Sequence, residues 1–130
     1  MGVDHSDSST WVLVTGAASG IGRGLTTSLL EKGEKVVALD NNEDKLANVY
    51  TGHEMSLVCH CLDVCDTDGI AQLIGKIRGE VGMIKGLVNC AGIYPVTSFL
   101  DIAVEEWDQV LNTNLRGAFV LSQAVARLMV

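Results

Sequence analysis

The chain has 130 residues, 48% of them hydrophobic but only 5% aromatic, and a formal net charge of −7 with a pI near 4.7. That is enough chain for one domain with an aliphatic core. The acidic balance and the lack of any Lys/Arg cluster argue against nucleic-acid binding, and no apolar run approaches the roughly 20 residues of a membrane span.

The N-terminus, MGVDHSDSST, is polar and acidic and reads as a solvated tail over residues 1–10. It lacks the basic start and apolar run of a signal peptide. Gly2 and Ser6 fit the short myristoylation pattern, which is too common to carry weight. The domain proper is expected over residues 11–130.

WVLVT, Trp11 to Thr15, reads as a buried strand ending at a glycine turn. GIGRGLTTSLLEKG follows with Ile21, Leu25, Leu29 and Leu30 at helical spacing and Gly33 as a stop. KVVALD, Lys35 to Asp40, is a second buried strand, and NNEDKLANVY a short polar helix capped by Asn41 or Asn42. SLVCHCLDV, Ser56 to Val64, is a third strand. A helix capped by Asp66 or Thr67 carries Ile70, Leu73, Ile74 and Ile77. GLVNC, Gly86 to Cys90, is the fourth strand. A long helix from about Val104 is expected to place Trp107, Val110, Leu111, Asn114, Ala118, Leu121 and Val125 on one face.

Strands without polar alternation are buried on both faces, as in parallel sheets, and right-handed crossovers put helices on both sides. The expected fold is α/β, a doubly wound parallel sheet of the Rossmann type that stops after the fourth strand and its following long helix.

Four cysteines, Cys59, Cys61, Cys65 and Cys90, form no C-x-x-C pair. With His53 and His60 they match no standard zinc spacing, so no metal is expected. They read as small buried hydrophobes of a chain kept in a reducing cytoplasm.

The functional signal begins at VTGAASGIGRG, Val14 to Gly24. Gly16, Gly20 and Gly22 lie between the first strand and first helix, at the carboxyl edge of the sheet where ligands bind. Glycine accepts positive φ and lets a phosphate approach the main chain. The helix N-terminus offers free N–H groups and the positive end of its dipole. Gly22-Arg23-Gly24 is not the Gly-Lys-Ser/Thr ending of a P-loop. Asp40, ending the second strand, is placed to accept both adenosine ribose hydroxyls and to repel a 2′-phosphate. No Lys or Arg lies at Ala17 to Ile21, Asn41 or Asn42 to bind that phosphate. The pattern favours NAD over NADP.

Taken together, these segments resemble the short-chain dehydrogenases/reductases. TGAASGIG, Thr15 to Gly22, is similar to the family's TGxxxGxG loop, bringing Thr15, Ser19 and Ile21 into the cofactor set beside Gly16, Gly20 and Gly22. Asn41 joins it from the end of the second strand. LDV, Leu62 to Val64, is similar to the family's Asp-Val element, which implies adenine contacts from Asp63 and Val64. VNCAG, Val88 to Gly92, resembles NNAG, with Asn89 bracing the sheet and Ala91 and Gly92 along the nicotinamide ribose; Cys90 replaces the second asparagine. WDQVLNTNLRGAF resembles the helix carrying the catalytic asparagine, matched by Asn114.

The resemblance implies an NAD-dependent oxidoreductase that transfers hydride between nicotinamide and a small alcohol/ketone or dihydrodiol. In its complete form the protein would be a homodimer or homotetramer. It also implies a serine and a Tyr-x-x-x-Lys pair. Four residues after Tyr50 and Tyr94, the only tyrosines, stand Glu54 and Ser98, not lysine. The chain is therefore expected to be the N-terminal cofactor-binding half of such an enzyme. The alternative is a catalytically incomplete NAD-binding fragment or sensor module. A Rossmann-like methyltransferase would share the glycine loop and the acid but gives no reason for VNCAG or Asn114.

Overall fold

The computed structural model describes residues 9–130. The myristoylation pattern and all but the last two residues of the expected tail lie outside them. Four parallel strands, β1 (Thr10–Thr15), β2 (Lys35–Asp40), β3 (Leu57–Cys61) and β4 (Met83–Val88), form one sheet in the order β3-β2-β1-β4. Helices α1 (Gly20–Glu31), α2 (Glu43–Val49) and α3 (Thr67–Val81) make the crossovers. After β4 come a 3₁₀ turn at Phe99–Asp101, α4 (Val104–Leu111), a π-helical segment at Asn112–Gly117 and α5 (Ala118–Met129).

Every residue of β1 is buried, because it is central and covered on both faces. Its alternate side chains feed two cores. Leu13, with Val37 and Leu39, packs against Ile70, Ile74 and Ile77 of α3 and Leu121 and Val125 of α5. Val12 and Val14, with Val36 and Ala38, pack against Leu30 of α1 and Leu46 of α2. Each large aliphatic side chain buried this way contributes roughly 1.5–3 kcal/mol.

The open cap choices resolve to Asn42, whose side chain accepts from Lys45 N, and Asp66, which accepts from Gly69 N, both at 2.9 Å. β1 begins one residue earlier than expected, at Thr10, and β4 already at Met83, while β3 ends at Cys61.

Three expectations need correction. The buried face of α1 is Gly22, Thr26 and Leu30, with Leu25 and Leu29 packed at its side, whereas Ile21 in the first turn is exposed at the ligand edge of the sheet. The cysteines are not buried hydrophobes: Cys59 and Cys61 are exposed and Cys65 and Cys90 half-buried. β3 is an edge strand, so its outer residues lack a neighbour, and His60 between the two cysteines turns the other way to Glu80 on α3. The last helix runs unbroken in helical backbone from Val104 to Met129, as expected, but its residues do not share one buried face. The π turn rotates the apolar face, so that Leu121 and Val125 are fully buried while Trp107 is 59% exposed and Leu111 lies on the surface.

Candidate functional site

β1 sends the chain to β2 on one side and receives β4 on the other, so a crevice opens beyond the carboxyl ends of β1 and β4. A cleft of about 430 Å³ lies there. Of the residues singled out from sequence, Gly16, Ser19, Gly20, Ile21, Asp40, Asn41, Asp63, Val64, Ala91 and Gly92 line it together. Their segments come from four different strand ends.

The glycine loop forms the floor. Gly16 has φ +64°, and a Cβ there would lie 2.9 Å from the Cys90 and Ala91 backbone, so only glycine lets the two loops meet. Gly20 has φ +55°, with open space where a Cβ would project. Ser19 caps α1 in an extended conformation without a side-chain capping bond. The first intrahelical amide bond runs from Arg23 N to Ser19 O, 3.1 Å. The preceding amides of the first turn have no carbonyl one turn back within the helix. They give the cleft a cluster of donors at the positive end of the dipole. These features fit a dinucleotide's pyrophosphate.

Asp40 stands at the tip of β2. Its Oδ2 accepts from Ala18 N at 3.0 Å and its Oδ1 from Asn42 N at 2.9 Å, fixing the carboxylate plane. Asp63 accepts from Cys65 N at 2.9 Å, an Asx turn in the loop after β3. Among the described lining residues there is no lysine or arginine.

Four predicted residues lie outside the lining. Thr15 is buried, and its Oγ1 accepts from both Cys90 N and Ala91 N at 3.0 Å, tying the end of β1 to the loop after β4. Gly22 packs under the loop: a Cβ on it would lie 2.2 Å from Gly16 O. Asn89 donates to Ser122 Oγ of α5 at 3.0 Å, bracing that helix against the strand end. Asn114, in the π segment, holds the backbone of Ile93 through both ends of its amide. These four shape the cleft rather than face it.

The segment carrying Asn114 is docked in turn on the loop after β3. Gly117 approaches Val64 so closely that a Cβ would lie 2.8 Å from Val64 O. Cys65 Sγ meets Thr113 Oγ1 at 3.3 Å, and Arg116 donates to Thr67 Oγ1 at 3.0 Å.

Leu62, Cys90, Ile93, Tyr94 and Thr113 line the cleft without having been placed in the cofactor set. Leu62, Cys90 and Ile93 adjoin predicted residues, a signal that was available. Thr113 arrives from the π turn, whose geometry no sequence periodicity announces. Tyr94, 87% exposed, stands at the rim.

The family model described as short chain dehydrogenase matches residues 10–130. Over 121 residues the chain is 36% identical to a 3-oxoacyl-[acyl-carrier-protein] reductase of Thermotoga maritima, covering 91% of this chain and 49% of that protein. It is 32% identical to an NAD-dependent glycerol dehydrogenase of Listeria innocua, covering 91% and 46%. A short chain dehydrogenase of Bacillus anthracis superposes with a TM-score of 0.86 at 30% identity, over 92% of this chain and 49% of that one. The chain spans about half the length of the curated relatives it matches.

Proposed function

Because this chain belongs to the short-chain dehydrogenase family, we propose that it is the dinucleotide-binding half of an NAD-dependent oxidoreductase acting on a small alcohol/ketone or dihydrodiol pair. The observation that carries the reading is the joint lining of one cleft by the Gly16–Ile21 loop and Asp40. The loop donates amides where a pyrophosphate would lie, and the carboxylate accepts where ribose hydroxyls would lie. Next to Asp40, with no cation in the described lining, a 2′-phosphate would be repelled, which favours NAD over NADP.

A bound nicotinamide supplies the hydride donor or acceptor. In this reading Asp63 and Val64 border the adenine, and Ala91 and Gly92 lie along the nicotinamide ribose. Asn114 sets the position of the Ile93 backbone beside them and stands next to the proton relay of the complete enzyme. The Tyr50 phenol is committed to the scaffold and Tyr94 stands at the rim, so neither is assigned to proton transfer. A site of cytoplasmic action and a homo-oligomeric complete protein belong to the same proposal.

The test is fluorescence titration of the full-length protein with NADH and NADPH, and calorimetric titration with S-adenosylmethionine. Tighter binding of NADH supports the reading. Equal or tighter binding of NADPH overturns the NAD preference, and S-adenosylmethionine binding without either dinucleotide overturns the oxidoreductase assignment.

A further inference from the structure

Between Gly16 and Gly20, both at positive φ, lies a short segment flanked by two glycine pivots. Its central residues, Ala17 and Ala18, have no side-chain polar groups with which to anchor themselves. Their backbone is held from beneath instead. Ala17 N donates to Leu39 O at 3.1 Å, Ala18 N donates to Asp40 Oδ2 at 3.0 Å, and Ala17 O accepts from the Tyr50 phenol at 2.5 Å. The first two anchors come from β2 and its end. The third comes from the residue that closes α2, far along the chain.

We propose that Tyr50 is a positioning residue for dinucleotide binding, its hydroxyl fixing the Ala17–Ala18 peptide so that the amides from Ser19 onward point into the cleft. The inference rests on the dinucleotide reading above. Tyr50 lines no part of the cleft. Its ring packs with Leu25, Leu29 and Leu57 against the core on that face of the sheet. An aliphatic residue would fill that space equally well, but it could not donate to Ala17. Burial raises the phenol above its ordinary pKa of 10.0, so it remains a hydrogen-bond donor through neutral and mildly alkaline pH. Without this anchor the peptide between the two glycine pivots gains freedom, and the donors must be ordered again each time a pyrophosphate binds.

Tyr50→Phe keeps the ring and removes the anchor. Ile74→Val, in the core on the opposite face, serves as a variant that lowers stability without touching the loop. In the full-length protein, NADH titration of Tyr50→Phe is expected to give a dissociation constant at least threefold above wild type. Hydrogen exchange at the 17–21 amides should accelerate, with the strand amides of β1 and β2 unchanged. Ile74→Val should show neither effect. Wild-type NADH affinity together with wild-type exchange in Tyr50→Phe overturns the inference, as does an equal loss of affinity in Ile74→Val. If the wild-type protein binds no dinucleotide, the functional reading falls, while the exchange measurement still decides whether Tyr50 holds the loop.

Discussion

Asn114 and Ile93 are joined by two hydrogen bonds in opposite directions: Ile93 N donates to Asn114 Oδ1 at 2.8 Å, and Asn114 Nδ2 donates to Ile93 O at 2.7 Å. A side-chain amide here imitates a neighbouring strand, closing off the backbone where the chain leaves β4. The π turn positions it, since the segment at Asn112–Gly117 carries Asn114 across to the loop while Gly117 abuts Val64.

Asn114→Ala removes both bonds and leaves the Ile93 amide and carbonyl without these partners. A net loss of about 1–3 kcal/mol is expected, read as a lower urea midpoint. Asn114→Asp keeps an acceptor for Ile93 N but presents a carboxylate oxygen to Ile93 O, so it should recover little of that loss. Full stability in Asn114→Asp would show that the second bond contributes nothing.

The glycines separate by the same geometry. A Cβ at Gly22 would lie 2.2 Å from Gly16 O, whereas one at Gly24 meets nothing within 4 Å. Gly22→Ala must push α1 off the loop, and the clash is with backbone that cannot rotate away. Gly24→Ala, in the interior of a helix, should instead stabilise by roughly 0.5–1 kcal/mol. Two thermal melts check the pair: Gly22→Ala should lower the midpoint by several degrees, and Gly24→Ala should raise it.

Much of this arrangement is legible in the sequence. Apolar runs such as WVLVT and KVVALD have one reading in a βα repeat, and β1 and β2 fall there. Gly16 and Asp40 were readable because a positive φ and a strand-end acid are local chemistry. The roles of Thr15 and Gly22 were not, because each depends on which distant backbone it meets, and for Asn89, expected as a brace of the sheet, the partner on α5 was not. The exposure of Cys59 and Cys61 was lost for a similar reason: periodicity marks a strand but not whether that strand lies at the edge. The π turn at Asn112–Gly117 escaped because it needs no proline and no glycine at its start, and helical backbone continues on both sides of it.

Asp40 carries two tasks at once, and its substitution should separate them. Asp40→Ala removes the acceptor for ribose hydroxyls and also the anchors of Ala18 N and Asn42 N. NADH affinity is expected to fall at least tenfold, about 1.4 kcal/mol, and the ratio of NADH to NADPH affinity to narrow. Because the loop loses a support, NADPH should not bind Asp40→Ala as tightly as NADH binds wild type. Paired titrations of both nucleotides decide this. A variant that simply exchanged one preference for the other would show that the carboxylate does not brace the loop.

Alkaline pH should weaken the fold through two neutral groups. Partial desolvation raises the thiol of Cys59, a residue otherwise exposed on the edge strand, above its ordinary 9.0, and burial raises the Tyr50 phenol above its ordinary 10.0. In both cases the folded state holds its proton more tightly than the unfolded chain does. Their contribution is therefore fully present below the unfolded values and is lost as pH rises through the folded ones. Thermal midpoints should begin to fall near pH 9 from Cys59 and fall further above pH 10 as Tyr50 ionises, with its bond to Ala17 O lost at the same step. Cys59→Ala removes the first of these changes, so its midpoint should hold steady across pH 9 where the wild type declines. Parallel curves for the two proteins from pH 8 to 10 would rule out Cys59 as the source.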